Sequence, residues 1–208
     1  MLTLQQFIGF LVAALVITAS PGPDNLMVLS VGISQGRRRG IAFGLGCAVG
    51  CLSHTFLAAV GVSALIASSP VAFTALKVCG GLYLLWLGFN ALRSKGGLKA
   101  GAVAGEEKSS MRLFFRGVVA NAINPKVVLF FLSFLPQFVI PGNGKVPWQV
   151  VALGVTFTAQ AAVLFGLLGY FAGAIGQWLH TRPAAGAILD RLAGCVFVAL
   201  GIRLLVVR

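Results

Sequence analysis

Charge is scarce in this 208-residue sequence: Asp, Glu, Lys and Arg make up only 10% of it, against about a quarter in soluble domains. Acids are scarcest, four in all, and histidines number two. With 58% hydrophobic residues and a mean hydropathy of +0.97, the apolar excess is too large for one water-soluble core. The chain therefore reads as an integral membrane protein. Other absences exclude whole classes. There is no His-Glu-x-x-His and no Gly-x-Ser-x-Gly, and His54 has no evident serine partner. An intramembrane hydrolase would need a nucleophile–base pair or a metal with an activating acid, so an enzyme is not expected. No motif calls for a cofactor. No Cys-x-x-Cys is present, which removes a thioredoxin-like redox role. The four cysteines, Cys47, Cys51, Cys79 and Cys195, lie in apolar segments; Cys79 and Cys195 read as small packing residues. No Lys or Arg precedes the first apolar run, although Ile17-Thr18-Ala19-Ser20 ends in small residues. A signal peptide would need that positive region, so the first span is expected to stay in the mature protein.

The charge that is present is basic, with a net value of +12 and a pI near 10.7. The basic residues cluster between apolar segments, a pattern that reads as membrane topology and contact with anionic lipid, not nucleic-acid binding. Six spans are expected, from 4–35, 40–66, 71–92, 113–140, 147–176 and 187–206. Residues 93–112 form a Gly- and Lys/Arg-containing linker between a first repeat, 1–92, and a second, 113–208. Eleven basic residues follow the first, third and fifth spans (Arg37–Arg39; Arg93, Lys95, Lys99, Lys108, Arg112 and Arg116; Arg182 and Arg191). The other side carries four: Lys77, Lys145, Arg203 and Arg208. This asymmetry predicts a cytoplasmic linker and both termini outside, unless the first break is re-entrant, which would move the N-terminus to the cytoplasm.

The organising stretch is Pro21-Gly22-Pro23-Asp24-Asn25, set where an apolar helix would otherwise continue. No charge occurs in residues 1–20, and none between Asp24 and Arg37. Residues 4–35 would make about 48 Å of straight helix, more than a hydrocarbon core of about 30 Å, so a span broken at Pro21–Pro23 is predicted. Such a break needs protein or a water-filled cavity around it. The second half repeats the pattern: Pro125-Lys126-Val127-Val128-Leu129 aligns with Pro23-Asp24-Asn25-Leu26-Met27, against the alternative of two unrelated proline kinks. Two three-span halves must lie upside down relative to each other, and inverted repeats with broken helices meeting near the midplane mark transporters. Asn124 and Gly22 suit the N-cap, Pro125 and Pro23 the first helical position. Each restarted half-helix would then offer free N–H groups to an anion. Asp24 and Lys126 hold equivalent positions, so an inverted arrangement would bring acid and base together. Gly40-x-x-x-Gly44 and Gly46-x-x-x-Gly50 favour close helix approach, within the repeat or in a homodimer.

These motifs resemble the LysE/RhtB family of bacterial amino-acid exporters. The resemblance rests on Pro21-Gly22-Pro23-Asp24-Asn25-Leu26-Met27-Val28 with Gly32-x-x-x-Gly36-Arg37-x-x-Gly40. It rests equally on Asn121-x-x-Asn124-Pro125-Lys126 with Phe130-Phe131 and Leu135-Pro136-Gln137-Phe138. Length, span pattern and basic linker agree along essentially the whole chain, and Asp-Asn after Pro-Gly-Pro looks like the RhtB-type branch. The resemblance implies a bacterial inner-membrane exporter of small amino acids such as threonine, homoserine or leucine, exchanging substrate for protons. Asp24 is then the site for the substrate ammonium and, read as the only acid within a span, the proton carrier. Lys126 and the half-helix N-termini would hold the carboxylate, and Asn25, Asn121 and Asn124 would supply neutral hydrogen bonds. In the alternative reading, an Asp24–Lys126 bridge merely holds the repeats together. A further alternative is efflux of a soft metal cation, because Cys47, Cys51 and His54 share one helix face at i, i+4 and i+7.

Overall fold

The computed structural model describes residues 2–62, 69–94 and 109–206. Most of the linker expected at 93–112 therefore lies outside the described residues. The described chain is helical throughout. Helix α1 spans Leu4–Ala19, α2 Pro23–Gln35 and α3 Arg37–Leu57, the last continued by a π turn at Ala58–Val62. Helix α4 runs Pro70–Arg93 and α5 Ser110–Ala122. Helix α6, Pro125–Leu129, passes into a π segment at Phe130–Phe134 and a 3-10 turn at Leu135–Phe138. Helices α7, Val146–Tyr170, α8, Ala172–Thr181, and α9, Pro183–Val206, complete the chain.

Four of these helices are long and apolar enough to cross a membrane, over Arg37–Gly61, Val71–Arg93, Val146–Tyr170 and Ala184–Val206. The pairs α1–α2 and α5–α6 bend by 55° and 50° at their breaks, and up to six spans result if each bent pair is one span. The proline-marked breaks thus fall where the sequence predicts them. Thr3 caps α1 through a reciprocal capping box with Gln6, and Ser69 and Ser109 cap α4 and α5 with their side chains.

Three corrections follow. The expected fifth span, 147–176, ends at Tyr170: Phe171 leaves the helical region (φ −91°, ψ 7°), and a separate helix, α8, packs against α2. The second span begins before the expected residue 40: Gly36, with φ +89°, makes the corner and Arg37–Arg39 form the first turn of α3. Cys79 and Cys195 are exposed on the outer faces of α4 and α9, whereas Cys47 and Cys51 are buried.

Helix α3 is the central post. A Cβ on Gly40 would lie 2.7 Å from Gly32 Cα and 3.1 Å from the Gly169 carbonyl, and one on Gly44 would meet the Phe165 carbonyl on α7. Gly46 and Gly50 face α5 instead, against the carbonyls of Phe114 and Val118. Two successive small-xxx-small pairs therefore dock two different helices, since six residues turn the α3 surface by about 240°. Helices α4 and α9 pair at the periphery and leave Val71, Trp86, Ile188 and Leu192 exposed, as a lipid-facing surface requires.

A seal closes one end. Gln6 Nε2 donates to the Phe138 carbonyl at 2.8 Å. Gln149 Nε2 donates to the Ile140 carbonyl at 2.9 Å while its Oε1 accepts from Ile140 N–H at 3.1 Å. Behind these glutamines, Phe10, Phe130, Phe134, Phe138 and Phe157 stack with neighbouring ring centroids between 5.2 and 6.0 Å. Replacing Gln149 with Leu removes the acceptor of the Ile140 N–H, at about 1–3 kcal/mol if that group stays dry, while the Ile140 carbonyl keeps its bond from the Asn143 N–H at 2.9 Å. The Gln149→Leu protein is expected to insert normally and to melt at a lower temperature than the wild type; an unchanged melting curve would show that the seal carries no stability.

Candidate functional site

The two breaks meet in the interior. At the first, Gly22 is the N-cap of α2 and Pro23 its first residue, with no side-chain cap bond. At the second, Asn124 caps α6, Pro125 is the first residue, and Asn124 Oδ1 accepts the Lys126 N–H at 3.0 Å. Pro23 and Pro125 face outward while the residues after them, Asp24 and Lys126, are buried, 3% and 7% exposed. The two half-helices are therefore not equivalent toward an anion. At α6 the N–H of Lys126 is already taken by Asn124, whereas α2 begins without a side-chain partner.

Asp24 and Lys126 line one cavity, but they do not form a direct ion pair. Each instead reaches the last turn of the other half's first helix. Asp24 Oδ2 accepts from Asn121 Nδ2, near the end of α5, at 2.7 Å. Lys126 Nζ donates to the carbonyl of Ser20, the C-cap of α1, at 2.8 Å. That carbonyl is the negative end of α1, and the ammonium also lies 5.1 Å from the Phe197 ring. A buried cation is thus held by a helix terminus and a π face. The Lys126 stem passes over Gly22, where a Cβ would come within 3.2 Å of Nζ, so the glycine keeps that path clear. Each charge is thus hydrogen-bonded across to the other half of the chain instead of to its counterpart.

The remaining predicted residues have distinct places. Asn25 Nδ2 donates to the Thr18 carbonyl at 2.9 Å, satisfying a group freed at the end of α1. Pro21 faces a second, larger cavity. The small cavity around Asp24 and Lys126 has a volume of about 20 Å³ and is lined further by Asn25, Asn121, Asn124 and Phe130. That is room for about one water molecule, not for a solute.

Sequence reasoning missed several partners. Gln160, on α7, donates from Nε2 to Thr18 Oγ1 at 2.8 Å, and its Oε1 is buried without a partner. A lone amide midway along an apolar helix was the available signal. Ser20 and Phe197 gave none, because a carbonyl belongs to every residue and phenylalanines number 16. Asp24 is not the only acid in the helices: Asp190 lies in the second turn of α9.

The soft-metal alternative fails on geometry. Cys51 Sγ donates to Asn121 Oδ1 at 3.4 Å. His54 Nε2 lies 3.0 Å from the Asn121 carbonyl, which can only accept, so that nitrogen carries the proton. Both side chains thus brace Asn121 against Asp24. Among the described residues no three of His, Cys, Asp and Glu converge as metal ligands, and Cys47 and Cys51 act as packing groups on α3.

The model of the LysE type translocator family matches residues 15–208. The chain is 32% identical to a leucine efflux protein of Enterobacter sp. (strain 638), over 96% of this chain and 94% of the relative. It is 29% identical to a homoserine/homoserine lactone efflux protein of Salmonella typhimurium, over 96% of both chains. An uncharacterized membrane protein of Vibrio cholerae is 31% identical over 97% of both. No solved structure shows a significant match. The chain therefore belongs to the LysE type translocator family and is a multi-pass bacterial membrane transporter, not an enzyme.

Proposed function

We propose that the protein exports a small amino acid of the threonine, homoserine or leucine kind in exchange for protons, by alternating access across two inverted repeats. The observation that carries this reading is the crossed anchoring of one buried acid and one buried base at two helix breaks around a small cavity. An amino acid is a zwitterion and presents to such a site the charges it is built to match. Asp24 accepts the ammonium group. Lys126, with the N–H groups opening α2, holds the carboxylate. When the substrate ammonium replaces Asn121 as the partner of Asp24, and the substrate carboxylate replaces the Ser20 carbonyl as the partner of Lys126, the bonds tying the two halves together are released. Protonation of Asp24 from outside would weaken its grip on the ammonium and reset the site. The functions printed for the leucine and homoserine relatives support the substrate class, and the polarity of the basic loops supports a cytoplasmic linker.

The test is transport into inverted membrane vesicles. With a mixture of amino acids outside and a proton gradient imposed, one or a few small neutral amino acids are expected to accumulate, and to stop doing so when the gradient is collapsed. Accumulation that persists without the gradient would contradict proton exchange. No accumulation of any amino acid would contradict the reading itself.

A further inference from the structure

A second cavity, of about 400 Å³, lies between the α1–α2 break, α7, α8 and α9. Its volume falls in the range of about 300–1,000 Å³ typical of small-molecule sites, twenty times that of the small cavity. Its wall is aliphatic: Leu26, Leu29, Leu168, Ile175, Leu179 and Leu189. Its polar side chains are Asn25 on α2, His180 near the end of α8 and Asp190 in the second turn of α9. Asp190 is held in place because its Oδ2 accepts from Ser94 Oγ at the end of α4. Asn25 lines both cavities, so the larger one abuts the chamber of Asp24 and Lys126. On its far side that chamber is walled by Phe130 and Phe157, with the glutamine seal beyond.

We propose that this cavity is a loading site for an amino acid with an aliphatic side chain, in which Asp190 holds the ammonium group and the leucine wall takes the side chain. The inference rests on the amino-acid export proposed above and deepens it. The substrate passes from one carboxylate, Asp190, to the next, Asp24, with the Asn25 amide between them. Selection of the side chain belongs to the first station, because the chamber of about 20 Å³ has no room for one in this conformation. The wall buries a branched aliphatic chain and offers a basic side chain no second carboxylate, since Asp190 is the one acid among the described lining residues.

Two measurements test this. In reconstituted liposomes, Leu179→Trp narrows the wall and is expected to raise the KM for leucine about tenfold, the scale on which side-chain fit discriminates, and to raise the KM for alanine several-fold less. Asp190→Asn is expected to raise both, and Asp190→Glu to restore them in part. Equal effects of Leu179→Trp on leucine and alanine, or no effect of either variant, would overturn the loading site while export by the wild type still stood. The second measurement needs no transport. Leu179→Cys, with Cys79→Ser and Cys195→Ser, is expected to react with a maleimide and to be protected by leucine and not by lysine. Identical labelling with and without leucine would overturn the site even if Leu179→Trp fails to fold. A wild type that exports no amino acid, yet shows leucine protection, would instead contradict the export reading alone.

Discussion

An Asp24→Asn variant is expected to insert and fold, yet to show gradient-driven export no greater than vesicles without the protein. The substitution preserves shape, and the new amide oxygen can still accept from Asn121 Nδ2, which donates to Asp24 at 2.7 Å in the wild type. What disappears is the charge and the capacity to carry a proton. Lys126 loses the carboxylate that shares its cavity but keeps the Ser20 carbonyl and the Phe197 ring. The stability loss should therefore stay below the about 3–5 kcal/mol of orphaning a contacting buried partner. Lys126→Met is expected to lose export in the same assay, because a substrate carboxylate then meets no cation. Measuring melting temperature and export on the same preparations separates the two effects: a variant that melts like the wild type and does not transport has lost the site, not the fold.

The second large effect is expected at Gly40. Helices α2, α3 and α7 converge there, and a Cβ would lie 2.7 Å from Gly32 Cα and 3.1 Å from the Gly169 carbonyl. Both neighbours are backbone and cannot rotate away. Overpacking commonly costs about 1–3 kcal/mol where side chains can yield, and Gly40→Val should reach or exceed the top of that range. Size-exclusion chromatography is expected to show aggregate and little monodisperse protein, with Gly40→Ala intermediate. A Gly40→Val protein that elutes and melts like the wild type would contradict this packing of α3.

How much of this was legible in the sequence follows from which groups carry the information. The breaks were legible because Pro21, Gly22, Pro23 and Asn124, Pro125 interrupt apolar runs with residues that cannot continue a helix. Asp24 and Lys126 were legible because a charge in such a run has few other uses. Their convergence on one cavity was expected; their direct pairing was not realised, because each finds a partner in the opposite half. The Lys126 partner, a backbone carbonyl exposed by the end of α1, has no signature in residue identity. The Phe171 break was harder to read: no proline or charge marks it, and the expected span 147–176 ran through it. Asp190 was overlooked among the arginines near the start of the last span, although its place in α9 makes it a wall of the larger cavity.

The central claim, that Asp24 is the coupling carboxylate and not a structural partner of Lys126, is tested most directly on the double variant Asp24→Asn with Lys126→Met. Neither charge is then left alone in the cavity, so the melting temperature is expected to stay close to that of the wild type. Proton-driven export should still be absent, because Asp190 lines the neighbouring cavity and cannot take the place of Asp24. Normal proton-driven export by a stable double variant would contradict the account.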